Sequence, residues 1–284
     1  MKKKLLAILT CAMAACLGLF ALTACGGSND SADESADIDT LIVGFDAAYP
    51  PYGYLVDDDE EGYEASNGNT YTGFDLDLAA KVCEANGWAL QVEPIDWDSK
   101  DALLGNGTIN CIWNGFTYEG REDNYSFSAP YMVNAQVVVV RADSDIKTLE
   151  DLADKNVITQ ADSSALNVLE GDQADLAATF AGGKVSTISD YNNAFMQLES
   201  GAVDAVACDL SIAAYHMAAN PDKYVQLEET LFSEHYAVGF ALGSDALAEK
   251  VTETLKQLDA DGEIEALCEK YADQGMDYAN WCLE

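Results

Sequence analysis

The chain has 284 residues, of which 50 are acidic and 14 are lysine or arginine, and its formal net charge at pH 7 is −36. A chain this acidic is repelled by nucleic acids and by anionic lipid surfaces, so its composition argues against both as binding partners. Its eight cysteines and two histidines include no Cys-x-x-Cys pair, which argues against a zinc site.

The first 25 residues have the layout of an export signal. Residues 2–4 are lysines, residues 5–21 form an apolar run without charge, and small residues then precede Cys25. Residues 22–25 read Leu-Thr-Ala-Cys, which resembles the lipobox of bacterial lipoproteins, in which the cysteine receives a diacylglyceryl group. We therefore predict a signal peptide over residues 1–24 and a lipid-anchored, extracytoplasmic protein. An uncleaved membrane anchor is the alternative, because the apolar run is close to the ~20 residues of a spanning helix.

Residues 26–37 are small, polar and acidic, so we predict a flexible linker over residues 25–39. Removal of the signal takes away three lysines and changes the net charge from −36 to −39, which favours solubility at a cell surface.

Among the cysteines beyond Cys25, Cys268 and Cys282 are the best placed to form a disulfide, which would join a C-terminal helix to its tail. Buried thiols that behave as small hydrophobic side chains are the alternative.

In the first half of the mature chain, short β-branched runs alternate with helical patterns. The patterns predict strands at residues 40–45, 89–95 and 109–113, and helices at 74–85 and 100–104. Pro50 and Pro51 lie in a rigid turn over residues 46–54, and Asn-Gly at 67–68 predicts the turn of a hairpin over 56–72.

Acids at 57–61 followed by Gly62 match the first six positions of a calcium-binding loop, which has acids at positions one, three and five and glycine at six. The twelfth position is Gly68 instead of glutamate, so we predict a solvated hairpin and no metal.

The second half repeats the alternation. Strands are predicted at residues 136–141, 156–160, 184–188, 205–208 and 236–241, and helices at 164–171, 192–200, 245–259 and 262–272. Strands that alternate with helices indicate parallel sheets with helices on their faces. The sequence therefore predicts an α/β protein built from two α/β units in series.

A set of short motifs spans residues 40–271. They are Tyr-Pro-Pro-Tyr at 49–52, Gly-Phe-Asp-Leu-Asp-Leu at 73–78, Asp-Trp at 96–97, Asn-Gly-Phe-Thr at 114–117, Arg-Glu at 121–122, Phe-Ser-Ala-Pro-Tyr at 127–131, Ala-Val-Asp-Ala at 202–205, and Asp209. In combination they resemble the family-3 extracytoplasmic solute-binding proteins, which serve ABC importers as amino-acid-binding proteins.

This resemblance implies a two-lobed, periplasmic-binding-protein-like fold of type II, with the ligand in a cleft between lobes joined by two hinge strands. Lobe 1 is expected over residues 40–134 and 236–284, and lobe 2 over 135–235. The hinge strands are expected at 136–140 and 236–240. The implied function is capture of a polar amino acid, with glutamine or a basic amino acid favoured and cystine as an alternative. Delivery to a membrane permease, a monomeric protein and no cofactor are also implied.

The resemblance also assigns roles in binding a zwitterion. Arg121, Thr117 and the Ser163–Ser164 amides are expected to hold the α-carboxylate. Asp209 and the Gly115 carbonyl are expected to hold the α-ammonium group. The ligand's side chain would contact a carboxylate and four aromatic residues of the cleft wall: Asp46, Tyr49, Tyr52, Trp97 and Trp113.

Each assignment has a structural alternative. Arg121 could instead form a surface ion pair, Asp209 could cap the following helix, and the aromatic residues could pack inside a lobe. The sequence departs from the family pattern at two points: the loop from Gly115 to Arg121 is one residue shorter, and Asp162 replaces the usual glycine before Ser163.

Two other functions fit the same fold. Some relatives of this fold are extracytoplasmic dehydratases that act on small acids, and an enzyme would need an acid–base pair near the pocket. The only histidines are His216 and His235, although a glutamate or aspartate could take their place, so the enzyme stays an alternative. A sensor domain is the third possibility, and no transmembrane or kinase segment follows Glu284. We therefore predict a binding protein and not an enzyme.

Overall fold

The computed structural model describes residues 38–56 and 61–283. The predicted signal peptide, Cys25, most of the linker and acids 57–60 of the calcium-like stretch lie outside the described residues.

The strands are β1 (Thr40–Phe45), β2 (Ala48–Tyr49), β3 (Gly53–Leu55), β4 (Tyr63–Glu64), β5 (Thr70–Thr72), β6 (Ala89–Pro94), β7 (Cys111–Ile112), β8 (Tyr125–Phe127), β9 (Met132–Arg141), β10 (Val157–Gln160), β11 (Ser186–Ile188), β12 (Ala205–Asp209), β13 (Tyr224–Gln226), β14 (Phe232–Tyr236) and β15 (Gly239–Ala241). The helices are α1 (Phe74–Asn86), α2 (Lys100–Gly105), α3 (Ser164–Glu170), α4 (Ala174–Ala177), α5 (Tyr191–Ser200), α6 (Leu210–Ala219), α7 (Asp245–Ala260) and α8 (Glu263–Lys270). None of these helices is both long enough and apolar enough to span a bilayer.

Two main sheets organise the chain into two lobes. The sheet of lobe 1 has the strand order β6-β1-β7-β15-β8, and that of lobe 2 the order β11-β10-β12-β9-β13. In each sheet the central strands are parallel. The antiparallel strand beside them is β15 in lobe 1, which follows the return from lobe 2, and β9 in lobe 2, along which the chain enters that lobe. A small antiparallel sheet, β2-β3-β5-β4, is made by the residues after β1. The predicted α/β, two-lobed fold is therefore confirmed.

The chain enters lobe 2 along β9 and returns along β14, and these two strands pair antiparallel with Asn134 opposite Glu234. The first hinge strand, predicted at 136–140, lies inside β9. The second, predicted at 236–240, differs from the structure, because β14 ends at Tyr236. The Ala237 amide instead donates to the Phe116 carbonyl, so the chain leaves β9 and joins the sheet of lobe 1 as β15.

Local sequence explains the elements that carry the cleft. The Val-Val-Val-Val run of β9 is buried throughout, as expected of a strand enclosed within a sheet. Helix α1 starts directly after Gly73 and ends at Gly87, whose left-handed conformation (φ 72°) lets its amide bond the Cys83 and Glu84 carbonyls. Two strands are shorter in the structure than the sequence predicts: the strand predicted at 109–113 has two residues, and the strand predicted at 184–188 has three.

All described cysteines are free thiols, so the Cys268–Cys282 disulfide, which the sequence left open, does not form. The tail after α8 turns toward the hinge: the Cys282 amide donates to the Tyr131 carbonyl over 3.0 Å, and Trp281 pairs with Met132. Hydrogen bonds to the start of β9 therefore fix the tail, and the alternative of buried thiols describes Cys268 correctly.

Candidate ligand-binding site

The predicted site residues lie where strands of both lobes end. Asp46 directly follows β1, Trp113 follows β7, and Asp209 is the last residue of β12. Ser163 follows β10 by three residues. The carboxyl ends of parallel strands are where open α/β sheets bind ligands, so the topology brings these loops to the boundary between the lobes.

Asp46 of lobe 1 makes a direct contact with lobe 2. Its carboxylate accepts hydrogen bonds from the Ala48 amide at 2.8 Å and from Gln160 Nε2 at 2.5 Å. Burial removes the water that would stabilise the charge and raises the pKa of Asp46 to about 6, although both hydrogen bonds oppose that rise. Asp46 is thus a carboxylate held in place by both lobes.

A cavity of about 540 Å³ opens beside Asp46 and is lined by both lobes. Trp97 and Tyr71 supply aromatic wall, and Asp46, Asp96, Asp98 and Asp190 supply carboxyl groups. No lysine, arginine or histidine is among the described residues that line it. The cavity is therefore acidic and aromatic, and it can take a cationic or amide group.

Tyr49 and Tyr52 form a buried aromatic cluster with the return strand. The Tyr49 hydroxyl lies 3.0 Å from that of Tyr236, and the Tyr52 ring meets the Tyr236 ring edge-on at 5.3 Å. Tyr49 also packs 6.1 Å from the ring of Tyr191 on α5 of lobe 2. These rings join the lobes at the base of the cleft, whereas Trp113 is fully buried in the core.

Gly115 adopts a left-handed backbone (φ 58°), and a Cβ there would lie 2.9 Å from the Tyr49 ring. Its amide donates over 2.7 Å to Asp75, a fully buried carboxylate that also accepts from the Tyr131 hydroxyl. Burial raises the pKa of Asp75 to about 7. The glycine therefore belongs to a close-packed backbone turn that a larger residue would disrupt.

Asp209 accepts three hydrogen bonds on Oδ1, from Asn134 Nδ2 at 3.0 Å, Gln136 Nε2 at 2.7 Å and the Tyr236 hydroxyl at 2.9 Å. Its side chain is buried and does not cap the following helix. The capping alternative is therefore wrong for Asp209. The carboxylate instead belongs to a polar cluster beside the crossing strands.

At the centre of that polar cluster is Glu234, a residue that the sequence analysis missed. Its Oε1 accepts from Thr117 Oγ1 at 3.1 Å, Asn134 Nδ2 at 2.7 Å and Gln136 Nε2 at 2.8 Å, and its Oε2 accepts from Ser164 Oγ at 2.6 Å. Glu234 has no exposed surface. Burial, together with the neighbouring Asp209 carboxylate, raises the pKa of Glu234 to about 7.

One sequence signal could have found this glutamate. Side chains of a strand alternate between its faces, so Glu234 shares a face with Tyr236 two residues later. Both are buried, while Ser233 between Phe232 and Glu234 is exposed. Placing Tyr236 at the cleft would have placed Glu234 there too.

Arg121 is held by its own loop. Its Nη1 donates to the Thr117 carbonyl at 3.1 Å, and the guanidinium lies 4.7 Å from the centre of the Phe116 ring. In the described part of the chain, no carboxylate pairs with Arg121 within 4 Å, so the surface ion-pair alternative is not found. The guanidinium sits next to Thr117 without contacting Glu234.

The three residues of the Asp162-Ser163-Ser164 loop contact three different partners. Asp162 has φ 56°, a conformation that glycine adopts most readily and that aspartate tolerates. Its carboxylate pairs with Lys100 of lobe 1, so it turns away from Glu234. Ser163 caps α3 by accepting from the Leu166 amide, while Ser164 reaches Glu234. No group of three metal-ligating side chains occurs among the described residues.

Comparison with known proteins agrees with this architecture. The L-cystine-binding protein TcyA of Bacillus subtilis is 28% identical over 95% of this chain and 97% of its own length. A probable histidine-binding protein of Neisseria gonorrhoeae is 27% identical over 95% of this chain and 96% of its own. Both relatives match nearly their full length.

Solved structures agree as well. An ABC uptake transporter substrate-binding protein from Streptococcus pneumoniae with bound histidine superposes with a TM-score of 0.77 and 30% identity, covering 84% of this chain and 95% of that one. The ancestral amino-acid-binding protein AncCDT-1, a precursor of cyclohexadienyl dehydratase, gives a TM-score of 0.70 and 29% identity over 82% and 95%. The model of the bacterial extracellular solute-binding proteins, family 3, matches residues 41–274, and the chain belongs to that family.

Proposed function

We propose that this protein captures a polar amino acid outside the cell, with a basic amino acid favoured, and delivers it to an ABC permease. The observation that carries the proposal is the acidic cavity between the lobes, in which Asp46 is fixed by Gln160 and faces no basic side chain. A guanidinium or ammonium group gains charge-assisted hydrogen bonds there. Glutamine can donate its amide to the same carboxylate, and cystine is the ligand named for the relative TcyA.

The backbone end of the amino acid is assigned to the polar cluster around Glu234. Asp209 would pair with the α-ammonium group, helped by the Gly115 carbonyl. Thr117, Ser163 and Ser164 would meet the α-carboxylate, and Arg121 would turn its guanidinium from the Thr117 carbonyl toward it. Supporting this arrangement, Thr117 and Ser164 already donate to one carboxylate, that of Glu234, from opposite lobes.

Lobe closure follows from this division of labour. Lobe 1 supplies Arg121 and Thr117, and lobe 2 supplies Asp209 and Ser164. Neither lobe alone therefore completes the site for the α-ammonium and α-carboxylate groups. A ligand that contacts both lobes favours the closed state through its higher affinity for that state. The contacts Asp46–Gln160 and Lys100–Asp162 add to the stability of the closed form.

We further infer a monomeric binding protein that returns its ligand unchanged. Neither histidine is placed for acid–base chemistry in the cavity: His216 stacks on Phe195 at 3.7 Å, and His235 bonds Glu119. The membrane anchor would be the lipid on Cys25, with the linker giving the lobes reach to the permease.

A thermal-shift screen against the twenty amino acids and cystine tests the proposal. A ligand at ~100 times its dissociation constant stabilises the folded state by about 2.7 kcal/mol. We expect arginine, lysine or histidine to give the largest shift, followed by glutamine. A shift with cystine alone would indicate that the ligand is cystine and not a basic amino acid. Recovery of a chemically converted product after incubation would indicate that the protein is an enzyme.

A further inference from the structure

Glu234 uses the same hydroxyl groups that the proposed function assigns to the ligand's carboxylate. Thr117 Oγ1 donates to its Oε1 and Ser164 Oγ donates to its Oε2. These hydroxyls come from opposite lobes, and Glu234 lies on the strand that returns between them. A ligand carboxylate that contacts either hydroxyl must therefore lie within a few ångströms of the Glu234 carboxylate.

We propose that capture of an amino acid takes up one proton from solvent, and that this proton comes to rest on Glu234. The inference depends on the proposed function, because it requires an α-carboxylate at Thr117 and Ser164. Two carboxylates this close in a dry site cannot both keep their charge at low cost, and sharing one proton removes the repulsion. As a neutral acid, Glu234 becomes a donor to the ligand's carboxylate.

Among the described residues no cation contacts Glu234 itself, and the Arg121 guanidinium, which the proposed function turns toward the ligand's carboxylate, balances only one of the two carboxylates. The four groups that donate to it, on Thr117, Asn134, Gln136 and Ser164, are all neutral. The charged or titratable groups on the elements packed around it are Asp209 on β12, His235 and Tyr236 on β14, Glu119 and Arg121 on the loop after Thr117, and Asp162 before α3. Among these, His235 pairs with Glu119, Asp162 pairs with Lys100, and Arg121 bonds the Thr117 carbonyl.

Before the ligand brings its ammonium group, the neighbouring charge without a cation in the described ranges is that of Asp209, which shares the Asn134 and Gln136 amide donors with Glu234. Burial and this second carboxylate raise the pKa of Glu234 to about 7, so uptake of a proton costs little near neutral pH. The oxygens are not equivalent. Oε1 accepts three hydrogen bonds and Oε2 one, so Oε2 is the oxygen that takes the proton, and the Ser164 hydroxyl turns to the ligand.

Isothermal titration calorimetry of the mature protein tests the proposal directly. L-Arginine, L-glutamine and L-cystine are titrated at pH 7.5 in phosphate and in Tris, whose ionisation enthalpies differ. At this pH Asp46, with its pKa of about 6, is already ionised and contributes little. Glu234, with a pKa of about 7, is already about one quarter protonated at this pH, so we expect the dependence of the heat on the buffer to report uptake of about 0.5–0.8 proton per ligand bound.

Two variants locate the proton. Glu234→Gln keeps the shape and the neutral state, so we expect binding to persist and proton uptake to vanish. Glu119→Gln breaks the pair with His235 and leaves Glu234 in place, so uptake should remain. As a measurement that needs no variant, the affinity of the wild type should fall by up to tenfold for each pH unit above the pKa of Glu234.

The outcomes separate this proposal from the function on which it rests. Binding without proton uptake, binding with proton release, or uptake that persists in Glu234→Gln would overturn the role of Glu234 and leave amino-acid capture intact. Release would indicate that the ligand's ammonium group pairs with an ionised Glu234. Absence of heat with all three amino acids in both buffers would overturn both.

Discussion

Lys100 of lobe 1 and Asp162 of lobe 2 form an ion pair across the cleft, and the two side chains differ widely in exposure. Lys100 keeps 3% of its side-chain surface exposed and Asp162 keeps 46%. Burial lowers the pKa of Lys100, and the Asp162 carboxylate opposes that shift. The buried ammonium therefore depends on a partner that belongs to the other lobe.

Replacing Asp162 with asparagine tests this dependence. Asparagine tolerates the positive φ of 56°, so the main loss is the charge beside Lys100. We expect the free energy of unfolding to fall by about 1–3 kcal/mol, less than the ~3–5 kcal/mol for a fully buried pair because Asp162 is half exposed. In urea denaturation, Glu263→Gln is the control, since it breaks the exposed Lys81–Glu263 pair. Equal losses in the two variants would contradict the special role of Lys100.

Removing the Arg121 guanidinium should weaken amino-acid binding strongly. In Arg121→Ala the ligand's carboxylate loses a charged partner, and we expect a loss of ~2–5 kcal/mol, about a hundredfold or more in affinity. Arg121→Lys should restore only part, because an ammonium group cannot form the planar fork. Calorimetry measures the affinity, and the melting temperature shows whether the loop held by the Thr117 carbonyl survives. An affinity within threefold of wild type would place the carboxylate site elsewhere.

Asp209→Asn should weaken the hold on the α-ammonium group. The Asn oxygen can still accept from Asn134, Gln136 and Tyr236, so the fold is preserved while the negative charge is lost. We expect a loss of ~2–5 kcal/mol for the amino acid. A deaminated analogue should bind wild type and variant equally poorly. Tight binding of that analogue to the wild type would exclude Asp209 as the ammonium partner.

The buried carboxyl group of Asp75 predicts a pH dependence of stability. Its pKa is about 7 in the folded chain and 3.8 for an unperturbed aspartate, so between these values the folded state binds more protons than the unfolded state. Stability should therefore fall as pH rises through this window, by at most about 1.4 kcal/mol per pH unit from this group. Asp75→Asn should reduce the slope of the profile between pH 5 and pH 7 and leave the contributions of Asp46 and Glu234, whose pKa values are also raised. The exposed Asp222, changed to asparagine, should leave it unchanged.

Cys25→Ser should abolish attachment of the lipid, because only the cysteine sulfur can form the thioether with the diacylglyceryl group. We expect the variant to lose labelling by radioactive palmitate and to accumulate as unprocessed precursor. One acyl chain anchors a protein only marginally, whereas several chains hold it firmly. Labelling equal to that of the wild type would remove the lipoprotein assignment.

The sequence predicts well what depends on local chemistry. Strand ends carry Asp46 and Asp209, and the unusual aspartate at position 162 takes a backbone conformation that glycine prefers. Contacts between distant segments escape such reasoning. Glu234 meets Asn134 across 100 residues of chain, and no motif around Glu234 signals that meeting. The sequence also left open whether Cys268 and Cys282 form a disulfide, because the path of the tail depends on its hydrogen bond to Tyr131 and not on the sequence between the two cysteines.

The free thiols of Cys83, Cys111, Cys208, Cys268 and Cys282 have a practical consequence for production of the two-lobed part. Its folding needs no oxidant and no disulfide isomerase, so the reducing cytosol of a bacterial host should yield the same molecule as secretion does. Cys282 is the least buried of the five. It is therefore the position at which a maleimide dye would react first, next to the strand along which the chain crosses from one lobe to the other.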